Sequence, residues 1–465
     1  MDRLSKIILA GILILAFGVR FFGIAKSPPS LNWDEAALGY NAYSILKTGR
    51  DEFGKKLPLS LRSFDDYKPA VYSYVAVPFI KAFGLNEISV RLPSVIAGTV
   101  IVLLAYLFAK EFFKKEQAAL ISSFLVAAEP WSVHFSRVAF ESNLALMFFL
   151  TGIYLFLKSR KYILPGFFLI LSALTYHSEK ILVFPLAVLS FIFDPGSLSR
   201  FASSSIFSHY PASLDLIKAL ITRYFSYFSP VNLFVRGTPE PTQHIPNFGM
   251  FYPLEFLLLV VGLYFLIQNF RKHKILFFLL VVSPVPAIAT WNWFYPARVL
   301  PLFFFLSLII AYGLYRILNK YTAVPVLVIL ISGVLNLLTS LYFFLPYQER
   351  GNWQYGMREM AQALTKYQDS HQRVVIETKT AQPYIFLLFY TQYDPQKYQE
   401  YSKDILSPRN SFNFDKYEFR DIYWDKDKDL KNTLFIGPES SLPVTPVYEV
   451  KDFEGNVLYR VAETK

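Results

Sequence analysis

The chain has 465 residues, of which 54% are hydrophobic and 18% aromatic, and its formal net charge is +11. Soluble proteins are about 45–50% apolar, and the excess here lies in long runs, which excludes an ordinary soluble domain and indicates a polytopic helical membrane protein. Basic residues gather in short loops between these runs, as at a cytoplasmic membrane surface, so the charge predicts no nucleic-acid partner. The absence of cysteine excludes disulfides, thiolate metal sites and cysteine nucleophiles.

The first apolar run extends from Ile7 to Ile24 and follows Arg3 and Lys6. It is longer than the apolar part of a signal peptide, which has about 7–15 residues, so we predict a retained first span. If the two basic residues stay in the cytoplasm, the loop 25–87 is extracytoplasmic. Its many tyrosine and phenylalanine side chains favour helices that lie in the membrane interface.

Further spans are predicted in alternation, with basic residues at their cytoplasmic ends. They run from about Ile88 to Ala109, Ala118 to Ala128, Asn143 to Leu157, Phe251 to Ile267, Ile275 to Thr290, Ala297 to Tyr315 and Ala323 to Leu345. Two shorter apolar runs, Ile163 to Thr175 and Ile181 to Phe193, bring the prediction to about 10–11 spans.

The region 194–246 contains no run long enough to span a bilayer. The next span should start outside, whereas a hairpin made of the two shorter runs would leave Phe193 inside. Either something crosses the membrane between 194 and 246, or the two shorter runs together cross once. The sequence leaves both alternatives open.

The composition changes after Leu345, where a polar and charged C-terminal region begins. We predict a spanning domain over 1–345, which includes the loop 25–87, and a small extracytoplasmic α/β domain over 346–465. The expected elements are a helix at Met357 to Tyr367, strands at Arg373 to Thr378 and Asn432 to Gly437, and a hairpin at Val447 to Ala462.

Four groups of polar residues fall on the predicted outer face. They are Asp34 with Glu35, Asp65 with Asp66 and Lys68, His134 with Arg137 and Glu141, and Arg298. Arg137 and Glu141 are expected on one helix face because they are four residues apart.

Each group also has a structural interpretation. Asn32 or Asp34 can cap a helix that continues to Leu46. The two aspartates at 65 and 66 can form a solvated turn, the pair at 137 and 141 can be a helix-end ion pair, and Arg298 can extend to lipid headgroups.

Carboxylates and cations on one membrane face are the groups needed for a transfer reaction with a phosphate leaving group. A lipid-borne phosphate leaving group needs cations to balance its developing charge, and an acceptor hydroxyl or amine needs a carboxylate base. Glycosyl transfer from a polyprenyl-phosphate sugar fits both needs, and attack opposite the phosphate would invert the anomeric centre.

The sequence resembles the membrane glycosyltransferases of the GT-C class, and within it the family of protein O-mannosyltransferases and the lipid A aminoarabinose transferase. The matching segments span roughly residues 1–345. They are Trp33-Asp34-Glu35-Ala36, Tyr67-Lys68-Pro69-Ala70 with Tyr72, Arg91-Leu92-Pro93-Ser94, Ser136-Arg137 with Glu141, Tyr176 to Lys180, and Ala297-Arg298. The family usually has another span after the region of Phe193.

The resemblance implies a role for each candidate residue. Asp34 would be the catalytic base with Glu35 secondary, Lys68 would meet the lipid phosphate, and Glu141 would line the site. Further phosphate or sugar contacts are expected at Arg137 and Arg298.

The expected partners are a polyprenyl-phosphate sugar donor, membrane lipids, and an acceptor that is a lipid, a glycan or a protein. No cofactor and no metal ligand is expected, although a divalent metal stays open. The Trp-Trp-Asp signature of metal-dependent oligosaccharyltransferases does not occur. A secondary transporter would show two related halves and charges within its spans. A non-catalytic scaffold for envelope assembly is the remaining alternative.

Overall fold

The computed structural model describes residues 2–64, 66–159, 161–183, 205–208, 210, 213–379, 382–403, 405 and 411–465. The chain forms two compact units, one of Met1–Ile24 with Arg91–Leu345 and one of Ala25–Val90 with Pro346–Lys465. The last segment of the first unit ends at Leu345, and the last segment of the second unit begins at Pro346. The loop 25–87, which was grouped with residues 1–345 on the basis of sequence, lies in the second unit together with the C-terminal region.

Helices make up most of the chain. In order they are α1 (Arg3–Phe21), α2 (Trp33–Thr48), α3 (Val71–Phe83), α4 (Glu87–Phe113), α5 (Glu116–Ala128), α6 (Pro130–Arg137), α7 (Glu141–Lys158), α8 (Ile163–Thr175), α9 (His177–Leu182), α10 (Leu214–Ser226), α11 (Pro253–Ile267), α12 (Phe270–Val282), α13 (Val285–Ile288), α14 (Leu300–Ile317), α15 (Ala323–Thr339), α16 (Leu345–Gln348), α17 (Met357–Tyr367), α18 (Pro383–Tyr390), α19 (Pro395–Ser402) and α20 (Trp424–Asp427). Short 3-10 turns lie at Ile206–Ser208, Pro241–Gln243, Pro296–Arg298 and Gln368–Ser370, and π-helical turns at Asn232–Arg236 and Ser340–Phe344.

Strands occur in the second unit. They are β1 (Ser60–Ser63), β2 (Asp66–Pro69), β3 (Arg373–Ile376), β4 (Phe412–Phe414), β5 (Tyr417–Phe419), β6 (Thr433–Gly437), β7 (Tyr448–Lys451) and β8 (Val457–Thr464). Among the described residues β1 and β2 form a hairpin, and the other six form a sheet in the order β4-β5-β3-β6-β8-β7.

Four described helices are long and apolar enough, by length and composition, to cross a membrane: Arg3–Phe21, Glu87–Phe113, Leu300–Ile317 and Ala323–Gln348. A fifth candidate is the pair α5 and α6, which is bent by 55°. Shorter apolar helices are α3, α8 and α11.

The bend between α5 and α6 has a local cause. Glu129 is extended, with φ −64° and ψ 140°, because the proline that follows it disfavours the helical conformation. Pro130 then occupies the first turn of α6, where its missing N–H costs nothing. The segment 129–137, which lies between the predicted spans Ala118 to Ala128 and Asn143 to Leu157, is therefore mostly helical.

The region 194–246 is described only in part. The shorter run Ile181 to Phe193 lies outside the described residues beyond Val183, and so does the chain up to Ser204. Of the described helices between 205 and 246, none satisfies the length and composition of a span.

The core of the first unit surrounds α14, which is buried along almost its whole length. A Cβ atom at Gly313 would lie 2.0 Å from the Leu258 carbonyl oxygen, and one at Gly262 would lie 2.1 Å from the Ile309 carbonyl oxygen. These two glycines let α11 and α14 approach backbone to backbone, as small residues do between membrane helices.

The sheet of the second unit confirms the expected α/β architecture. Its centre is parallel, with β3 between β5 and β6, and β8 pairs antiparallel with β6 and β7. The predicted helix at Met357 to Tyr367, the strands near 373–376 and 433–437 and the hairpin of β7 and β8 are all present.

Helix α2 packs against the C-terminal part of the same unit. The Tyr40 hydroxyl donates to the carbonyl oxygen of Tyr393 at 2.9 Å, and the Ser402 hydroxyl donates to that of Glu52 at 2.9 Å. Gly39 lies against Phe389. These contacts explain why the loop 25–87 joins the C-terminal region.

Candidate active site

The first turn of α2 contains the two predicted carboxylates. Asn32 is the N-cap, and its side chain accepts a hydrogen bond from the Glu35 N–H at 2.9 Å. The Glu35 carboxylate in turn accepts from the Asn32 N–H at 3.2 Å, which completes a capping box. Glu35 is fully buried, so the geometry gives it a structural role, whereas the Asp34 side chain is 39% exposed.

The hairpin of β1 and β2 brings Lys68 to Asp34. Leu61 pairs with Lys68 across the two strands, and the Lys68 ammonium forms an ion pair with Asp34 Oδ1. The Lys68 side chain is only 13% exposed. The predicted base and the predicted phosphate ligand are therefore in contact within one unit. They are far apart in sequence, so neither helical nor strand periodicity predicts this pair.

Asp65 and Asp66 belong to the same predicted group as Lys68. Asp65 lies outside the described residues. Asp66 is the first residue of β2, where it pairs with Ser63, and its side chain accepts a hydrogen bond from the Tyr67 N–H at 2.8 Å.

Arg137 is fully buried and is used inside the first unit. Its Nη1 donates to the carbonyl oxygens of Val19 at 2.6 Å and Phe22 at 2.8 Å, and its guanidinium stacks over the Tyr342 ring. The last carbonyl groups of a helix lack intrahelical partners, so Arg137 closes the C-terminal end of α1. This geometry favours a structural role over the predicted contact with phosphate.

Arg137 and Glu141 do not share a helix face. Helix α6 ends at Arg137, Val138 is extended with φ −118° and ψ 150°, and α7 begins only at Glu141. The prediction of a pair four residues apart on one helix is therefore wrong, because the chain breaks between the two residues.

Arg298 belongs to a polar cluster of the first unit. Its Nη1 donates to Thr290 Oγ1 at 2.6 Å and Asn292 Oδ1 at 3.0 Å, and the guanidinium lies over the Tyr295 ring at 4.2 Å. The 3-10 turn that ends at Arg298 packs against α7.

Tyr176 connects this cluster to further charges. It lies within electrostatic range of Arg298, Glu141 and Glu179. Glu179 is buried, and neither carboxylate oxygen has a hydrogen-bond partner among the described residues. The structure thus places the predicted residues Glu141 and Arg298 in one region, together with two residues of the segment Tyr176 to Lys180.

Two buried arginines were not predicted as functional or structural. Arg20 donates to the carbonyl oxygens of Val126 at 3.0 Å and Ala127 at 2.9 Å, at the end of α5, and Arg91 donates to that of Ile24 at 2.7 Å. For Arg20, the sequence did contain a signal of a structural role, because the residue lies inside the first apolar run and charged residues within spans are rare and usually paired.

Among the residues that the structure describes, no group of three or more histidine, aspartate or glutamate side chains is arranged to hold a metal ion.

Comparison with known proteins finds a family model that matches part of the chain. Residues 11–174 match the family model described as dolichyl-phosphate-mannose-protein mannosyltransferase. This segment includes Asp34, Lys68, Arg137 and Glu141, whereas Arg298 lies beyond it. No curated protein matches the sequence significantly.

Among solved structures, the chain is similar to ArnT from Cupriavidus metallidurans bound to undecaprenyl phosphate, with a TM-score of 0.53 and 12% identity over 98% of this chain and 97% of that one. The archaeal oligosaccharyltransferase AglB from Archaeoglobus fulgidus, in complex with an inhibitory peptide and a dolichol-phosphate, matches with a TM-score of 0.48 and 12% identity over 83% of this chain and 63% of that one. The likeness to ArnT shows a shared fold over nearly the whole chain. The family match, by contrast, is confined to residues 11–174, so the comparisons show what this part of the chain is similar to and which fold the whole chain shares.

Proposed function

We propose that the protein transfers a sugar from a polyprenyl-phosphate-linked donor to an extracytoplasmic lipid, glycan or protein, with inversion at the anomeric carbon and Asp34 as the base. The ion pair of Asp34 and Lys68 carries this proposal, since it joins a partly exposed carboxylate to a cation. The similar ArnT structure contains undecaprenyl phosphate, and the matching family is described by dolichyl-phosphate mannose. Both lipids are polyprenyl phosphates, which supports this donor class.

The proposed chemistry needs one base. As the acceptor oxygen or nitrogen attacks the anomeric carbon, Asp34 takes its proton. The bond between the anomeric carbon and the phosphate oxygen breaks, and the phosphate leaves with the bonding electrons. Because attack occurs opposite the leaving group, the anomeric configuration inverts.

Lys68 is proposed to contact both the base Asp34 and the leaving phosphate. An ammonium group has three donors, so it can stay paired with Asp34 while it also contacts a phosphate oxygen. Its positive charge offsets the charge that develops on the leaving phosphate.

Two residues of the first unit, Arg298 and Glu141, are proposed to have the roles that the family resemblance implies. Arg298 uses Nη1 for both of its hydrogen bonds, which leaves Nε and Nη2 without partners among the described residues. It is the proposed further contact to phosphate or sugar, and Glu141 is proposed to line the site. Arg137 is a weaker candidate because it is fully buried and its Nη1 donates to carbonyl groups at the end of α1.

The test is the transfer rate of Asp34→Asn, measured with donor affinity in purified protein. The substitution keeps the shape and removes the base, so transfer should slow by about 10²–10⁴-fold, while donor binding persists through the cations. Asp425→Asn, at an exposed position of α20, is the matched control and should act like wild type.

Two outcomes contradict the proposal. If Asp34→Asn transfers normally while Glu141→Gln does not, the base is assigned to the wrong residue. If every carboxylate variant leaves the chain's biological activity intact and no donor is consumed, the non-catalytic scaffold is favoured instead.

A further inference from the structure

Helix α2, which contains Asp34, is held at both ends by the C-terminal part of its own unit. At its start, the Trp33 N–H donates to Gln354 Oε1 at 3.2 Å. At its end, Gln399 Nε2 donates to Ser44 Oγ and Thr48 Oγ1, each at 3.0 Å. The position of the proposed base therefore depends on residues that lie more than three hundred positions further along the chain.

Gln354 sits in a tightly bonded turn. The Trp353 N–H donates to the Glu349 carbonyl oxygen at 3.0 Å, and the Tyr355 N–H donates to that of Arg350 at 2.8 Å. The Trp353 side chain is fully buried and anchors the turn. Gln354 itself has φ +45°, a left-handed conformation that costs a non-glycine residue energy and that persists only where the surroundings enforce it.

The amide of Gln354 is oriented by a second hydrogen bond. Its Nε2 donates to the Asn352 carbonyl oxygen at 2.8 Å, which turns Oε1 toward the Trp33 N–H. The first N–H groups of a helix have no intrahelical acceptor. Asn32 satisfies the N–H of Glu35, and Gln354 satisfies that of Trp33, so hydrogen bonds hold the residues on either side of Asp34.

We propose that Gln354 is a positioning residue for Asp34. It fixes the first turn of α2 and thereby the direction of the carboxylate, without touching substrate. The inference rests on the proposed role of Asp34 as the base. Positioning matters because a small displacement of a reacting group lowers the rate without weakening ground-state binding.

The experiment measures kcat and the donor KM for three variants. Gln354→Gly removes the amide at a backbone conformation that glycine adopts readily, so the variant should fold. Loss of one hydrogen bond should lower kcat about 3–10-fold and leave the donor KM unchanged. Gln354→Glu keeps an acceptor oxygen for the Trp33 N–H but loses the donor to the Asn352 carbonyl oxygen, so it should restore part of the rate. Gln362→Ala, exposed on α17, should behave like wild type.

A double variant separates positioning from general stability. If Gln354 acts through Asp34, adding Gln354→Gly to Asp34→Asn should not lower the residual transfer further. An equal additional loss in the double variant, or a normal kcat for Gln354→Gly alone, would overturn the inference. Normal transfer by Asp34→Asn would instead refute the proposed base, so the two failures are distinguishable.

Discussion

A single ammonium group provides the charge balance beside the proposed base. Lys68 is mostly buried and paired with Asp34, so its removal would leave the carboxylate and the donor phosphate without this cation. We expect Lys68→Ala to weaken donor use by roughly ten- to a hundredfold, since a hydrogen bond to a charged group contributes about 1.5–3 kcal/mol. Lys68→Arg should lose less, because the charge is kept.

Steady-state transfer at varied donor concentration checks this prediction. Lys56→Ala, an exposed lysine of the same loop, controls for the loss of a positive charge. Wild-type donor kinetics in Lys68→Ala would remove Lys68 from the phosphate site.

Arg137 is predicted to stabilise the fold and not to bind the donor. Lysine cannot reproduce the planar guanidinium that places Nη1 against the carbonyl groups at the end of α1 and lies over the Tyr342 ring. Arg137→Lys should lower the free energy of unfolding by about 1.5–3 kcal/mol, with the donor affinity of the folded protein unchanged. Arg298→Lys should instead lower the donor affinity and leave the free energy of unfolding nearly unchanged. Thermal unfolding in detergent and polyprenyl-phosphate binding measure the two effects, and a specific loss of binding in Arg137→Lys would restore its role as a phosphate contact.

Glu52 gives the second unit a dependence on pH. The carboxylate is fully buried beside Asn41, and burial raises its pKa from the ordinary 4.5 to about 8. A carboxyl group with a raised folded-state pKa stabilises the fold while it is protonated. Its contribution is therefore fully present below pH 4.5 and is lost as the pH rises through about 8.

The free energy of unfolding, measured from pH 5 to pH 8.5, tests whether ionisation of Glu52 destabilises the fold. Wild type should lose stability on the order of a few kcal/mol across this range, and Glu52→Gln should lose much less because it cannot ionise. Glu400→Gln, on an exposed position of α19, should keep the wild-type slope. Identical slopes for wild type and Glu52→Gln would show that another group is responsible.

At the scale of elements, the packing of α2 depends on one glycine. A Cβ atom at Gly39 would lie 2.6 Å from Phe389 Cε2 and 2.6 Å from Val90 Cγ2. Gly39→Ala should therefore destabilise the second unit by about 1–3 kcal/mol, as overpacking does. Gly18 of α1 has no atom within 4 Å of the same position, so Gly18→Ala should be neutral or stabilising by up to about 1 kcal/mol. Thermal unfolding with limited proteolysis would report both, and equal stability of the two variants would contradict the packing argument.

At the scale of the whole molecule, the open question is orientation. The basic loops predict that the N-terminus is cytoplasmic and that Lys68, Glu141, Arg298 and the C-terminal region are extracytoplasmic. The chain has no cysteine, so single cysteines can be labelled from outside with an impermeant thiol reagent. Cysteines at the exposed positions Lys56 and Ser370 should react, and those at Lys115 and Lys320 should be protected. Protection at Ser370 would overturn the orientation.

Several features could be predicted from the sequence because they depend on local composition. Apolar runs mark the spans, since the bilayer requires about 20 apolar residues, and alternating apolar residues marked β3 and β6. The helix after Asn32 followed from cap chemistry. Asp34 and Lys68 were candidates because both are charged residues on the predicted outer face, and the family resemblance implied a role for each.

The remaining features depend on contacts between distant residues, which spacing along the chain does not encode. Arg137 and Lys68 are both cations near spans, yet one is committed to the carbonyl groups of α1 and the other pairs with a carboxylate. The break before Glu141 and the hydrogen bond from Trp33 to Gln354 are equally invisible in sequence. A charged side chain takes whichever partner folding brings to it, because leaving it buried and unpaired costs more than most single contacts contribute. Sequence therefore determined which residues could act, and tertiary structure decided which partner each one meets.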